Sequence, residues 1–201
     1  IDMALRTVIN PGDEVLVPEP SFVCYAPLAT LTGATAVPVV TTEEDSFRLT
    51  ADALRAAITP RTKALIFPFP NNPTGGVMRR EDLEAVAAVL RDTDIVVISD
   101  EIYGELTYGD TPHVSIAAID GMKERTVRIS GFSKAFAMTG WRLGYVCGPQ
   151  PIMKQLLKLH QYALMCAPTT AQYAAIEAME NGDEDVVTMR NEYDMRRRYI
   201  L

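Results

Sequence analysis

The chain has 201 residues, long enough for one domain with a sizeable core. Its 48% hydrophobic and 22% charged composition is that of an ordinary globular protein. A formal net charge of -7 argues against a general nucleic-acid footprint, although a local arginine could still bind a small anion. No apolar run is long enough to span a bilayer as a helix, and no signal peptide is evident, so no membrane partner is expected.

Residues 1–9 read as the body of a helix, with apolar residues at helical spacing and no cap before them. The other end stops inside a charged segment, residues 191–201, and the chain is expected to be a piece of a longer protein. Asn10-Pro-Gly-Asp13 is a turn and residues 14–17 a short strand. Residues 21–31 are predicted as a helix stopped by Gly33. Residues 35–40 follow as a strand in which Pro38 favours an edge position. Thr50 is a candidate cap for a helix over residues 51–58, which Pro60 ends.

The centre has a stronger pattern. Residues 63–67 form a buried-type strand leading into the loop 68–76. Residues 81–91 form an amphipathic helix with Leu83, Val86, Ala87 and Leu90 on one face. Further strands are expected at residues 95–99, 127–130 and 143–147, then helices at 151–163, 169–181 and 185–201. Strands alternating with helices predict a three-layer α/β/α sandwich around a mainly parallel mixed sheet. The segment between Lys134 and Arg142 is too short for a helical crossover. The 143–147 strand should therefore run antiparallel to its neighbour and place Lys134 and Arg142 on one rim.

Cys24, Cys147 and Cys166 are odd in number and have apolar sequence neighbours, which suits a reducing, cytoplasmic setting better than a disulfide framework. His113 and His160 are isolated in sequence, and no metal site is proposed. The arginines of the last helix, Arg190, Arg196, Arg197 and Arg198, read as a solvated face.

Ligands of open α/β sheets sit beyond the carboxyl ends of parallel strands. Asn72, Asp100, Tyr103 and Lys134 all follow such ends. Taken singly, each has an ordinary structural reading: a surface charge, a cap, a turn residue. The chemistry lies in their conjunction. Ser130-Gly-Phe-Ser-Lys-Ala-Phe-Ala-Met-Thr-Gly-Trp-Arg-Leu-Gly144 combines a lysine, whose amine can form a Schiff base, with an arginine suited to a phosphate. An aldehyde-bearing phosphate, pyridoxal 5'-phosphate (PLP), would use both.

Pro70-Asn-Asn-Pro-Thr-Gly75, Ser99-Asp-Glu-Ile-Tyr103 and the lysine segment together resemble, in order and separation, three signature segments of the class I/II aminotransferases, the fold-type I PLP enzymes. The resemblance runs over essentially the whole chain and looks closest to the aspartate aminotransferase-like branch. It implies an incomplete large PLP-binding domain over residues 1–201, with residues 183–201 leading toward a small domain. It implies ping-pong transfer of an amino group between an L-amino acid and a 2-oxo acid through a Lys134 Schiff base.

The same resemblance assigns Asp100 to the pyridine nitrogen, and Asn72 and Tyr103 to the phenolic oxygen, with Asn72 also near the substrate carboxylate. Arg142 would bind the phosphate with Ser130 or Ser133, and Phe22 would stack on the ring. A homodimer is implied, and the glycine-containing phosphate loop, the carboxylate-binding arginine and a partner tyrosine would lie outside this chain. Trp141, Phe132, Phe136 and Met138 are assigned to packing, Gly140 and Gly144 to close backbone approaches, and Tyr108 and Tyr162 receive no role. PLP-dependent C–S β-lyases, other fold-type I enzymes and non-catalytic PLP-binding regulatory domains share these signatures and stay open as alternatives.

Overall fold

The computed structural model describes residues 1–109 and 112–201. Six strands form one sheet in the order β2-β1-β3-β4-β5-β6. They are β1 (Glu14–Glu19), β2 (Thr35–Val40), β3 (Thr62–Phe67), β4 (Val96–Asp100), β5 (Thr126–Gly131) and β6 (Gly144–Cys147). The first five are parallel and β6 is antiparallel to β5, with Gly131 opposite Gly144. The mainly parallel mixed sheet and the reversal after Lys134 agree with the sequence reading.

Alternation along the strands builds two cores. Leu16, Leu65, Phe67 and Val97 face one side, where they meet Leu54 of α3 (Ala51–Ala57) and Leu83, Val86 and Leu90 of α4 (Arg80–Leu90). Val15, Val17, Ala64, Ile66, Ile98 and Val127 face the other, packing on α1 (Asp2–Val8), α2 (Tyr25–Leu31) and α6 (Gln150–Ala163). Burial on both faces is why these strands read as nearly continuous apolar runs. A separate cluster joins Phe132 and Met138 to Ala175 of α7 (Thr169–Asn181), which precedes α8 (Asp183–Ile200).

Local chemistry sets the boundaries. Thr50 caps α3 by accepting a hydrogen bond from the Ala53 N–H at 3.2 Å. β2 is one of the sheet's two edge strands, where a proline such as Pro38 is tolerated. Gly33, with φ +84°, supplies the left-handed turn that leads from α2 into β2.

Several expectations need correction. The helix predicted from residue 21 begins at Tyr25; Phe22, Val23 and Cys24 are exposed and precede it in a loop and turn. Their apolar character belongs to a rim rather than to a helix face. Trp141 is half exposed rather than packed, and nothing approaches a Cβ built on Gly140. Gly144 does permit a close approach, since a Cβ there would lie 2.9 Å from the Ser130 carbonyl oxygen. All three cysteines are unpaired and exposed, despite their apolar sequence neighbours. No helix among the described residues is long and apolar enough to cross a membrane.

Candidate active site

The carboxyl ends of β3, β4 and β5 open onto a cavity of about 790 Å³, within the usual range for a small-molecule site. Lys134 lines it from α5 (Phe132–Ala135), the single helical turn after β5. Its Nζ lies 5.7 Å from the centre of the Tyr103 ring, a cation–π separation. None of the salt bridges among the described residues involves Lys134. Ser133 lines the same cavity. The Lys134, Tyr103 and Ser133 assignments therefore converge in space.

Asp100 ends β4 and is half-buried beside this rim. The Tyr25 hydroxyl donates to its Oδ2 at 2.9 Å, and the Ile102 N–H donates to Oδ1 at 3.2 Å. Burial pushes the Asp100 carboxyl above its ordinary pKa, while both hydrogen bonds act in the opposite direction. Burial also pushes the Tyr25 phenol up, so it remains a donor.

The other assigned residues lie outside the lining of the Lys134 cavity. Asn72 is half-buried at a cis Asn72–Pro73 bond, and Asn71 lines the cavity in its place. Asn71 donates through Nδ2 to the Pro20 carbonyl at 3.2 Å, while its buried Oδ1 has no partner. Ser130 turns away and donates to the Glu101 carbonyl at 3.3 Å. Arg142, left-handed at φ 53° and exposed, donates to the Thr139 carbonyl at 2.8 Å. Phe22 is 45% exposed and meets Tyr25 edge-on at 5.8 Å between ring centres, which excludes a core role.

Four residues were missed in the sequence reading. Asn71 and Glu101 are immediate neighbours of motif residues, and Tyr25 closes the Pro20–Tyr25 segment quoted for Phe22. Arg197 of α8 reaches the cavity and stands 5.4 Å over the Tyr108 ring, so neither is purely a surface residue. His113 is not isolated in space, because its Nε2 lies 3.1 Å from Glu101 Oε2. Among the described residues, no group of three or more His, Cys, Asp or Glu side chains has metal-binding geometry.

The profile of the family described as "Aminotransferase class I and II" matches residues 1–201. The chain belongs to this family. An aspartate aminotransferase of Pyrococcus abyssi is 47% identical over 200 residues, covering 98% of the chain and 51% of that protein. The aromatic aminotransferase structure from Pyrococcus horikoshii OT3 superposes with a TM-score of 0.96 at 46% identity, over 99% of the chain and 54% of its own. N-succinyldiaminopimelate aminotransferase from Mycobacterium tuberculosis gives 0.95 at 38% identity, over 98% and 52%. The chain thus spans about half the length of these relatives, and its sheet matches their large domain.

The residues present fit the cofactor that the aminotransferase family implies. An amine faces an aromatic ring in a cavity of ligand size, and a half-buried carboxylate closes the adjacent strand. The unpartnered Oδ1 of Asn71 is a further polar atom beside that space awaiting a donor.

Proposed function

We propose that the full-length protein is a PLP-dependent aminotransferase moving an amino group between an L-amino acid and a 2-oxo acid in a ping-pong reaction. The observation that carries this reading is Lys134 in the cavity at the strand ends, facing Tyr103 and without a salt bridge among the described residues. Bound PLP supplies an aldehyde for amines and an electron-withdrawing ring.

In this reading the Lys134 amine holds the aldehyde and, once displaced by an amino acid, moves the proton at the substrate Cα. Asp100, kept in place by Tyr25, holds a proton on the pyridine nitrogen. Tyr103 and Asn72 donate toward the phenolic oxygen, and Asn72 also lies toward the substrate carboxylate. Ser133, already in the cavity, is better placed for the phosphate than Ser130, which is engaged with Glu101. Arg142 joins it by exchanging the Thr139 carbonyl for a phosphate oxygen, and Phe22 covers the ring from the exposed rim.

Residues 1–201 are taken as most of the large PLP-binding domain, with α8 leading toward a small domain. Exposed Tyr162, Leu164, Met165, Tyr173 and Met179, on and between α6 and α7, support a homodimer in which such surface is covered. The three unpaired cysteines suit a reducing compartment and support a cytoplasmic location.

The test uses the full-length protein loaded with PLP. Borohydride reduction followed by peptide mapping should place the cofactor on Lys134, and Lys134→Ala should lose the adduct and at least about 10³-fold of turnover. Coupled assays should detect a 2-oxo acid from the amino donor and a new amino acid from the acceptor. Release of pyruvate with a thiol would instead identify a β-lyase, and a trapped adduct without turnover a binding domain.

A further inference from the structure

Glu101 is 1% exposed, yet it is an acid placed directly after Asp100. Its carboxylate is fully engaged. Ser99 Oγ donates to Oε1 at 2.9 Å and Ser115 Oγ at 2.6 Å. Arg128 Nε donates to Oε2 at 2.5 Å, and His113 Nε2 lies 3.1 Å from the same oxygen. The backbone of Glu101 is held as firmly. Its N–H donates to the Ile129 carbonyl at 2.8 Å, and its carbonyl accepts from the Gly104 N–H at 2.9 Å and from Ser130 Oγ.

These contacts join four pieces of chain: the end of β4, the Tyr103 turn, the 113–115 segment, and β5 on its way to Lys134. A buried carboxylate costs several kcal/mol of desolvation unless its partners are well placed. Here burial pushes the Glu101 pKa up, but the hydrogen bonds from His113, Ser115 and Arg128 outweigh it and hold the carboxyl at about 2. The group therefore stays an anion across the working pH range, without facing the Lys134 cavity itself.

We propose that Glu101 is a positioning residue, a buried anionic clamp that fixes Asp100 and Tyr103 relative to Lys134 and so sets how the site holds pyridoxal phosphate. The inference rests on the aminotransferase reading. An ion pair used only for packing would serve anywhere in the core. This one spans the two strands whose ends carry the proposed ring-nitrogen acid and the proposed Schiff-base lysine, where a displacement of about 1 Å costs on the order of 10²-fold in a reactive geometry. The charged and titratable groups that face it are Arg128, His113 and Asp100. Neutralising Glu101 leaves the Arg128 charge uncompensated, and a nearby positive charge favours the neutral form of a bound cofactor–lysine adduct.

The experiment compares full-length wild type, Glu101→Gln and Ser115→Ala. Three quantities are read: the apo melting temperature, the dissociation constant for PLP, and the pH midpoint of the visible band of the loaded protein. Glu101→Gln should raise the dissociation constant about tenfold and lower the pH midpoint by about half a unit, beyond any change in melting. Ser115→Ala, which keeps the Glu101 charge and keeps the test open if the glutamine variant fails to fold, removes one donor to Glu101 together with the acceptor for the Ala117 N–H and should weaken PLP binding about threefold. Lower melting temperatures with an unchanged dissociation constant and an unchanged midpoint would overturn the proposal and leave Glu101 purely structural. A normal wild-type band accompanying that result would leave the aminotransferase reading intact. A wild-type protein that gives no Lys134-dependent band would overturn both.

Discussion

Asp100 stands between two opposing effects: burial favours its neutral acid, while the Tyr25 hydroxyl and the Ile102 N–H favour the carboxylate. Tyr25→Phe removes the stronger donor and should move the Asp100 midpoint further up, measurable by carbon NMR of the labelled carboxyl in the apo protein. It should also cost about 2 kcal/mol in urea unfolding at neutral pH, the usual loss for a hydrogen bond to a charged group. A midpoint that stays put or falls would show that Tyr25 does not support the anion. At this scale the sequence was informative about chemical type and less so about direction. Lys134, Tyr103 and Asp100 could be picked out by their places after strands. Asn71 and Asn72 are indistinguishable in composition, and only the path of the loop decides which lines the cavity. Arg142 and Ser130 were legible as candidates, but their rotamers, turned to Thr139 and Glu101, depend on neighbours fixed by the fold.

Helices and strands were legible wherever one physical pattern dominated. The α4 face of Leu83, Val86, Ala87 and Leu90 is buried as its spacing requires, and β3 and β4 are buried on both faces as their apolar runs require. The pattern misled at residues 21–24, where apolar side chains line an exposed rim before α2. It misled again at Trp141, whose size suggested core but which sits on an open turn. α3 offers a clean test of capping. Its N-terminus has one side-chain acceptor, Thr50 Oγ1, to the Ala53 N–H. Thr50→Ala should lower stability by about 1 kcal/mol, and Thr50→Ser should restore most of it. Hydrogen exchange should quicken first at the amides of the α3 first turn. Equal loss in both variants would mean that the methyl group, not the cap, is what matters there.

For the molecule as a whole, alternation of strands and helices was enough to foresee the layered sheet, and the short Lys134–Arg142 connection was enough to foresee the reversed β6. What could not be foreseen was the buried polar junction through which β4, β5 and the 113–115 segment meet at Glu101. It joins residues distant in sequence, and an isolated Glu, His, Ser and Arg carry no periodic signal. That junction should govern acid stability. The Glu101 carboxyl lies near its ordinary 4.5 when unfolded and is held at about 2 when folded. A depressed folded pKa contributes stability that is complete above 4.5 and is lost as pH falls toward and through 2. The amount is roughly 3 kcal/mol, most of it gone by pH 2.5. Asp100 acts in the opposite sense, because its raised folded pKa costs stability as pH climbs past its unfolded value; Glu14, lowered by Thr59 and Arg61, acts in the same sense as Glu101. Comparing wild type with Glu101→Gln cancels the Glu14 contribution and lessens that of Asp100, because the Glu101 charge is one of the causes that raise the Asp100 pKa. The difference in urea unfolding free energy between the two proteins should be largest near pH 5 and should shrink by about 2 kcal/mol or more at pH 2.5. A gap that stays constant over that interval would mean that the Glu101 junction stabilises the protein through shape rather than through its charge.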